Sequence, residues 1–391
     1  MQVIENSKGV AEACATLSKG AYVTLDTEFE RTSTYWPKLC LIQLAGDGED
    51  DVFIIDPLAD GIDLAPFYKL MANESVLKVL HAARQDMEIF LHESGALPHP
   101  IFDSQVAAMV CGFGDSVGYD TLARKLADVH IDKSSRFADW ARRPLTKKQL
   151  NYAAGDVTHL RVIYKRLAET LHENGRENWL SEEMTVLAKP TTYIVETTEV
   201  WRRLKARSRN RRFLAYVREL AAWREITARE RDVPRNRVMR DDILLELAAH
   251  PPKNADELSG IRKLPGNLNG RDKAGLLDAL KAGQDLPEDQ LPVSVKNDGP
   301  PKGAGPIMDL LKVLLKANAE HHGVAQRLVA NVADLERLAA DDNADIPALH
   351  GWRFEIFGKD ALELKHGRLG LSVQDGEVTV LPTGSPGSTE S

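Results

Sequence analysis

The sequence predicts an α/β domain followed by mainly helical modules, and two patterns lead to this prediction. Within residues 1–190, short apolar runs alternate in strand fashion and are separated by turns or helical segments. After residue 200, apolar side chains recur every three or four positions, which is the period of an amphipathic helix. The chain has 391 residues, a length that suggests roughly two to four domains, each able to bury its own core.

Short strands and intervening helices are expected in the first part of the chain. The strands are expected at residues 22–28, 39–44, 52–56, 77–81 and 101–103. Only turns separate the first three, which predicts an antiparallel meander. A helix at 86–92 separates the last two strands, and another at 104–111 follows them. A long helix is expected to begin after Thr146, because Thr146 and Gln149 fit a capping box and an apolar stripe follows.

The part after residue 200 is expected to form two helical blocks. The expected segments are a first block at 205–285, a linker at 286–306, a second block at 305–380 and a disordered tail at 383–391. The linker prediction comes from its Pro, Gly and polar residues. Within the second block we expect helices at 308–317 and 324–339 and a short hairpin that turns at Asp375-Gly376.

Composition and charge restrict the class of protein. No apolar run approaches the ~20 residues that span a bilayer, and the start of the chain lacks the apolar stretch of a signal peptide. Cys14, Cys40 and Cys111 form no CxxC pair and have apolar neighbours, so buried thiols in a reducing compartment are favoured over a disulfide or zinc site. We therefore expect a cytoplasmic protein without a membrane partner.

The basic residues are concentrated in one segment of an acidic chain. The net charge is −8, yet residues 201–242 hold thirteen arginines and Lys205 against six acids, a local charge of +8 that leaves the remainder near −16. Such asymmetry predicts a basic nucleic-acid-binding module attached to an acidic body. The alternative is a solvated Arg-rich helix with internal ion pairs.

Paired acids on a predicted strand are the first candidate site. Asp26 and Glu28 lie two positions apart, so their side chains share one face of the strand, while Val23 and Leu25 face a core. Two carboxylates about 4 Å apart repel each other by about 4 kcal/mol at an effective dielectric constant of 20. A fold tolerates the pair if it is solvated or binds a cation such as Mg²⁺ or Mn²⁺. By itself this pair is weak support, because most such pairs are surface acids.

Three further residues extend the candidate site. Tyr152 and Asp156 are four positions apart and project from one face of the long helix. A phenol beside a carboxylate is suited to positioning a water molecule, although Tyr152 alternatively covers the edge of the core. Asp86 begins a helix after an apolar strand, where acids are also common as partners of the helix dipole.

Taken together, three segments resemble the exonuclease motifs of the DEDD superfamily. They are Asp26-Thr-Glu-Phe29, His81-Ala-Ala-Arg-Gln-Asp86 and Tyr152-Ala-Ala-Gly-Asp156. The tyrosine before the last Asp matches the tyrosine subclass, and the neighbouring Phe102-Asp-Ser-Gln105 and Asp139-Trp-Ala-Arg-Arg-Pro-Leu-Thr146 resemble the ribonuclease D family. Residues 210–285 resemble the HRDC module of helicases and ribonuclease D. Residues 305–380 resemble a divergent second copy of this module only in order and helical pattern.

The resemblance implies a fold, a reaction and a role for each residue. The fold is a ribonuclease H-like mixed sheet flanked by helices at 1–190, followed by the HRDC-like helical domains. The reaction is two-metal 3′→5′ hydrolysis of RNA that releases 5′-mononucleotides, with two Mg²⁺ or Mn²⁺ ions. Asp26 would bridge both ions, while Glu28 and Asp156 complete one site and Asp86 supports the other. Tyr152 would orient the attacking water; a tyrosine of ordinary pKa, near 10, is an unlikely strong base.

Further residues are candidates for substrate contact, each with a structural alternative. Phe29 either stacks on the terminal base or lies in the core, and His81 either contacts the terminal nucleotide or satisfies the end of a strand. Arg142 and Arg143 either touch phosphates or form a solvated pair. The candidates in the first HRDC-like module are Arg207, Arg211, Arg212 and Arg235. The resemblance implies tRNA precursors and other structured RNAs with free 3′ ends as partners; we expect a monomer and predict no particular protein partner.

Two other functions remain open from the sequence. A DNA-directed 3′→5′ exonuclease of the same superfamily would carry the same motifs, although the HRDC-like modules and the segment after Asp139 argue against it. A non-catalytic RNA-binding scaffold would usually have lost a metal-binding carboxylate, whereas all four carboxylates and Tyr152 are present.

Overall fold

The computed structural model describes residues 1–48, 50–206, 208, 210–261, 264–266, 268–293 and 304–383. Within them, six strands form one mixed sheet in the order β1-β4-β3-β2-β5-β6. The strands are β1 (Gln2–Ile4), β2 (Tyr22–Glu30), β3 (Lys38–Ala45), β4 (Val52–Ile55), β5 (Leu77–Leu80) and β6 (Ile101–Asp103). The antiparallel meander β2-β3-β4 is confirmed. The edge strand β1, which pairs in parallel with β4, was not predicted.

Helices cover both faces of this sheet. They are α1 (Ser7–Leu17), α2 (Ala65–Met71), α3 (Arg84–Ser94), α4 (Ser104–Val110), α5 (Tyr119–Leu126), α6 (Lys147–Glu173) and α7 (Glu177–Leu187). The long helix α6 begins at the expected capping box, in which the side chains of Thr146 and Gln149 each accept from the other's backbone. The Thr24 hydroxyl donates to the Val157 carbonyl oxygen at 2.9 Å, which fixes α6 against β2. The predicted α/β fold with a mixed sheet and flanking helices is confirmed.

The next part of the chain is helical and has its own core. Its helices are α8 (Arg211–Glu230), α9 (Arg235–Val238), α10 (Asp241–Ala249), α11 (Ala255–Ser259) and α12 (Gly270–Asp285). The amphipathic stripe expected on the first of these contributes Val217 and Leu220, which are fully buried. They pack with Leu244 and Leu247 of α10 and Leu276 of α12.

The last part is helical and ends in a hairpin. It comprises α13 (Ala304–His321), α14 (Gln326–Val329), α15 (Val332–Ala340), α16 (Gly351–Arg353), a π-helical turn at Phe354–Gly358, α17 (Lys359–Lys365), β7 (Leu369–Gln374) and β8 (Glu377–Pro382). The expected hairpin is present, and both Asp375 and Gly376 have the positive φ that a tight turn of this kind requires. The single helix predicted at 324–339 is wrong. The chain is extended at Ala330, and Asn331 begins a new helix by accepting a hydrogen bond from the Asp334 N–H.

Two predicted segments lie partly outside the described residues. These are the linker at 286–306, of which 294–303 lie outside, and the tail at 383–391, of which 384–391 lie outside. In the described part of the chain, no helix is both long and apolar enough to cross a membrane.

Both helical parts contact the α/β part directly. The Tyr35 hydroxyl, in the loop between β2 and β3, donates to the Glu225 carboxylate of α8. On the other side, the indole rings of Trp179 in α7 and Trp352 in α16 stack with centroids 4.3 Å apart. Arg176 donates to the Gly323 carbonyl oxygen at 3.0 Å.

Candidate active site

The carboxylates of Asp26, Glu28 and Asp156 form a cluster beside the second half of β2. Their oxygen atoms lie within 4.8 Å of one another. Asp26 and Glu28 share the face of the strand that meets α6, because Thr24, two residues earlier on that face, bonds to α6. The register of β2 against β3 shifts between Glu28 and Phe29, so the regular ladder is interrupted directly after the acids.

Asp86 lies in α3 and approaches the carboxylate cluster from the other side of the sheet. It lies in the first turn of α3 and is 6% exposed. The Thr27 hydroxyl donates a hydrogen bond to its carboxylate. Thr27 points to the opposite face of β2 from Asp26 and Glu28. Residues 26–28 therefore place two acids on one side of the sheet and bind Asp86 on the other. Thr27 was not predicted as a site residue, although a hydroxyl residue between two acids is visible in the sequence.

Burial raises the pKa of every carboxyl in this group, and repulsion from neighbouring acids adds to the rise for Asp26, Glu28 and Asp86. Burial is the main cause for Asp26, whose pKa lies well above its usual range, with the charge of Asp156 adding to it. The pKa of Glu28 rises to about 10, first through burial and then through the other three acids. Burial, and after it repulsion by the charge of Asp26, raises the pKa of Asp86 to about 8. The pKa of Asp156 rises to about 7 through burial, and Tyr152 opposes this rise.

Such a group fits a hard divalent cation. Oxygen ligands from several carboxylates are the donor set that Mg²⁺ and Mn²⁺ prefer. A bound cation removes the repulsion that otherwise keeps protons on these carboxyls. The outer hydrogen bond from Thr27 to Asp86 is typical of the support that orients a metal ligand. The residues present therefore suit a divalent-metal centre.

Tyr152 lies one helical turn before Asp156 and borders the carboxylate cluster. Its ring centroid is 6.1 Å from that of Trp140, which is buried. Burial, followed by the charge of Asp156, raises the pKa of Tyr152, so the phenol stays protonated at neutral pH. Tyr119 was not predicted; its hydroxyl donates to the Asp156 carbonyl oxygen at 2.6 Å and supports this turn of α6.

A cavity of about 450 Å³ opens beside Tyr152 and Asp156. Its wall combines the exposed edge of α6 with the segment that precedes it. Ser135 lies in that segment, and Lys148 and His159 project from the helix. The cavity is open on one side and is large enough for a nucleotide-sized group next to the carboxylates.

Phe29 and His81 lie close to the carboxylate cluster, and both also make contacts that support the fold. Phe29 is half-buried and packs against the main core. His81 Nδ1 lies 2.9 Å from the Ser104 hydroxyl oxygen, and its ring makes an edge contact with Tyr119. Burial lowers the pKa of His81, so the imidazole is neutral. Substrate contact by Phe29 and His81 stays a prediction.

Arg142 and Arg143 have different environments. The side chain of Arg142 is exposed. Arg143 forms a two-pronged ion pair with Asp56, with N–O distances of 2.5 and 2.6 Å. Its remaining N–H groups donate to backbone carbonyls, including those of Trp140 and Cys40. Arg143 therefore joins β4 to the segment before α6, and no N–H is left for a phosphate.

The arginines predicted to bind RNA in the helical part are mostly occupied. Arg211 donates to the Leu291 carbonyl oxygen at 2.7 Å, and Arg212 donates to several carbonyls at the end of α12. Arg235 pairs with Glu225. These hydrogen bonds and the ion pair hold the fold together, and RNA contact by Arg211, Arg212 and Arg235 stays a prediction. Arg207 lies outside the described residues.

Comparisons with known proteins show two families that this chain resembles. Residues 1–172 match the family described as 3'-5' exonuclease, and residues 213–279 match the HRDC domain family. The first match contains Asp26, Glu28, Asp86, Tyr152 and Asp156.

The relatives and solved structures extend the likeness to nearly the whole chain. Ribonuclease D of Granulibacter bethesdensis is 48% identical, over 98% of this chain and 97% of the relative. Ribonuclease D of Nitrobacter hamburgensis is also 48% identical, over 97% and 98%. The crystal structure of Escherichia coli RNase D, described as an exoribonuclease involved in structured RNA processing, aligns with a TM-score of 0.79 at 31% identity, over 94% of this chain and 98% of that one. This chain therefore belongs to the ribonuclease D family of 3′→5′ exoribonucleases.

Proposed function

We propose that this exoribonuclease releases 5′-mononucleotides from RNA by two-metal hydrolysis, and that its substrates are tRNA precursors processed in the cytoplasm. The observation that carries the reaction is the cluster of Asp26, Glu28 and Asp156, with the buried Asp86 close enough for its charge to act on Glu28. Four carboxylates are more than the one or two that usually bind a single Mg²⁺ ion, so the group suits two neighbouring ions.

Each carboxylate is assigned to one or both of the proposed ions. Asp26 interacts electrostatically with Glu28, Asp86 and Asp156. It would therefore hold both ions, with Glu28 and Asp156 on one and Asp86 on the other. Two divalent ions, when bound to these carboxylates, would stabilise the charge on the attacking and leaving oxygens of the phosphodiester. Magnesium and manganese both fit an all-oxygen donor set.

Tyr152 is the proposed positioning group for the attacking water. Its phenol remains protonated at neutral pH because burial and the nearby carboxylates raise its pKa. A protonated phenol is a poor base, but it forms a hydrogen bond that orients a water molecule toward phosphorus. Packing against Trp140 holds the ring in place for this role.

The helical parts are proposed to help the catalytic part hold structured RNA. We divide the chain into an exonuclease domain at 1–190, a first HRDC domain at 205–285 and a second HRDC-like domain at 305–380, acting as a monomer. Because phosphate contacts dominate RNA affinity, an acidic catalytic body benefits from added basic surface. Arg203 and Lys205, both exposed, are candidates next to the occupied arginines.

One experiment tests this proposal against its alternatives. The purified chain is incubated with a 3′-extended tRNA precursor and with a DNA strand of the same sequence, in Mg²⁺, Mn²⁺ or EDTA. Stepwise release of 5′-mononucleotides from the RNA, stopped by EDTA, is the expected result. Cleavage of the DNA alone would contradict the proposal in favour of a DNA exonuclease. Binding of RNA without cleavage in either metal would favour a scaffold.

A further inference from the structure

Phe137 is an aromatic side chain left in solvent next to the active site. It is 90% exposed, and within the described residues no other large hydrophobic side chain is as exposed. Such a side chain forgoes the hydrophobic stabilisation that burial would supply. A single exposed apolar residue is ordinary on a protein surface, so its meaning depends on where it stands.

The position of Phe137 is set by two buried anchors. Ser135, two residues earlier, is 4% exposed and lines the cavity that also contains Tyr152 and Asp156. Trp140, three residues later, is equally buried and packs beside the Tyr152 ring. Two residues span at most about 7 Å between Cα atoms. Phe137 therefore lies at the rim of the cavity, about the length of one nucleotide from Tyr152 and Asp156.

Local hydrogen bonds shape the segment between the anchors into a turn. The Arg136 N–H donates to the Lys133 carbonyl oxygen at 3.1 Å, and the Ala138 N–H donates to that of Ser135 at 3.0 Å. The Asp132 carboxylate accepts from the Ser134 N–H at 2.9 Å. The backbone of the turn is thus defined, and Phe137 stands at its outer side.

Arg136 adds an unpaired cation to the same turn. Its guanidinium carbon is 5.4 Å from the Phe137 ring centroid, and within the described residues it has no acidic partner. The neighbouring Lys133 and Lys148, by contrast, are paired with Asp120 and Asp132. The charge of Arg136 also acts on the Tyr152 phenol, where it opposes the rise in pKa caused by burial and the acids. The turn therefore presents one aromatic face and one free guanidinium toward the approach to the site.

We propose that Arg136 and Phe137 form a binding site for the single-stranded 3′ tail of the substrate, in which the Phe137 ring stacks on a nucleobase just upstream of the terminal nucleotide and Arg136 contacts a phosphate. This inference rests on the proposed function, since it takes RNA as the ligand. An aromatic ring with an adjacent basic group is the usual platform for a single strand, because every base has a π-face and every nucleotide a phosphate. The site would hold the strand without reading its sequence.

Binding measurements on the full chain test this site without requiring turnover. The probe is a 5′-fluorescent single-stranded RNA of twelve nucleotides, and its Kd is measured by fluorescence anisotropy in EDTA. Because one stacked base contributes about 1–3 kcal/mol, Phe137→Ala is expected to raise Kd about 5- to 150-fold. Phe137→Trp should bind like the wild type, and Phe137→Leu, which keeps apolar bulk but no ring, should bind like the alanine variant. Val332→Ala, at another exposed apolar residue, is the matched control and should leave Kd unchanged.

Abasic substrates distinguish stacking from a general structural effect. Removing the base at each of the last four positions in turn should abolish the difference between wild type and Phe137→Ala at one position only. Arg136→Gln should weaken binding at every position and lower the salt dependence of log Kd by about one phosphate contact. In hydrolysis, Phe137→Ala should raise KM and leave kcat unchanged.

The outcomes separate this inference from the proposed function. Equal Kd values for wild type and Phe137→Ala, or a penalty that persists on every abasic substrate, would overturn the stacking site. If the wild type binds RNA but does not cleave it, the proposed function fails while the abasic comparison still decides the site. Failure of the wild type to bind this RNA at all would contradict both, and would point to a protein-docking role for Phe137.

Discussion

The Thr27 hydroxyl donates a hydrogen bond to the buried carboxylate of Asp86, fifty-nine positions later in the chain. Thr27 lies between Asp26 and Glu28, whose side chains point to the other face of β2. The same three residues therefore present two acids to one layer and hold a third acid in the opposite layer. With Asp156 of α6, this arrangement places four carboxylates around the second half of β2.

Thr27→Val should impair the proposed metal centre while preserving shape. Valine has nearly the size of threonine but no hydroxyl, so Asp86 loses the bond that orients it. Loss of such an outer hydrogen bond usually costs 10- to 100-fold in metal affinity or activity. We expect a rise of about that size in the Mg²⁺ concentration that gives half-maximal cleavage. Thr27→Ser is the control and should behave like the wild type; an unchanged Mg²⁺ titration of the valine variant would contradict the role of this bond.

Asp26→Ala should abolish cleavage while leaving RNA binding largely intact. The variant removes the central ligand of the proposed metal site, and no neighbouring side chain replaces it. The metal-free protein should be at least as stable as the wild type in thermal unfolding, because one member of a repelling group is gone. Asp60→Ala, at an exposed acid, is the matched control and should cleave normally. An active Asp26→Ala enzyme would rule out the assigned centre.

Tyr152→Phe should slow hydrolysis without changing metal binding. The phenylalanine ring keeps the contact with Trp140, so only the hydroxyl that orients the water is lost. Losing one hydrogen bond in the transition state predicts a decrease in kcat of about tenfold or more. Tyr164→Phe, on the same helix, serves as the control and should retain full activity. A turnover rate equal to that of the wild type would mean that Tyr152 only packs.

Stabilisation by Mg²⁺ should increase with pH. In the metal-free fold, Glu28, Asp86 and Asp156 have pKa values raised to about 10, 8 and 7. A raised pKa means that the folded protein holds protons that the unfolded chain has released, so these groups increasingly destabilise the metal-free fold as pH rises above about 4. Metal binding displaces the protons and removes that penalty.

The corresponding measurement is thermal unfolding with Mg²⁺ or EDTA at several pH values. The difference in Tm between the two conditions should be small near pH 6 and should grow toward pH 9. Calorimetry at pH 7 should also detect proton release when Mg²⁺ binds. A Tm difference independent of pH would argue against displacement of protons from these carboxyls.

Tyr35→Phe should weaken the contact between the catalytic part and α8. The Tyr35 hydroxyl donates to Glu225, which is 1% exposed in its side chain and also pairs with Arg229 and Arg235. Hydrogen bonds to charged groups contribute about 1.5–3 kcal/mol, and a decrease of this size in the free energy of unfolding is expected from denaturant titration. Tyr216→Phe, whose hydroxyl has no hydrogen bond to a described residue, should change it by less than about 0.5 kcal/mol. If both substitutions lowered the free energy of unfolding equally, the hydrogen bond from Tyr35 to Glu225 would not have the stabilising role assigned to it.

Features that depend on neighbours a few positions apart were readable in the sequence. The capping box at Thr146, the turn at Asp375 and the shared face of Tyr152 and Asp156 all follow from local backbone geometry. The single helix expected at 324–339 failed for a local reason as well, because Asn331 begins a separate helix and the periodicity of the apolar residues concealed it.

The sequence by itself determined the α/β class, the helical parts that follow it and which acids are candidates for the site, because periodicity and motif spacing are local properties. The tertiary structure alone decided how those acids meet, since the bond from Thr27 to Asp86 joins two layers of the fold. It also decided the partners of the arginines, because folding brings Asp56 against Arg143 and Glu225 against Arg235 from distant parts of the chain. A charge pattern gives the number of cations, whereas the long-range packing of the chain determines which of them remain available to RNA.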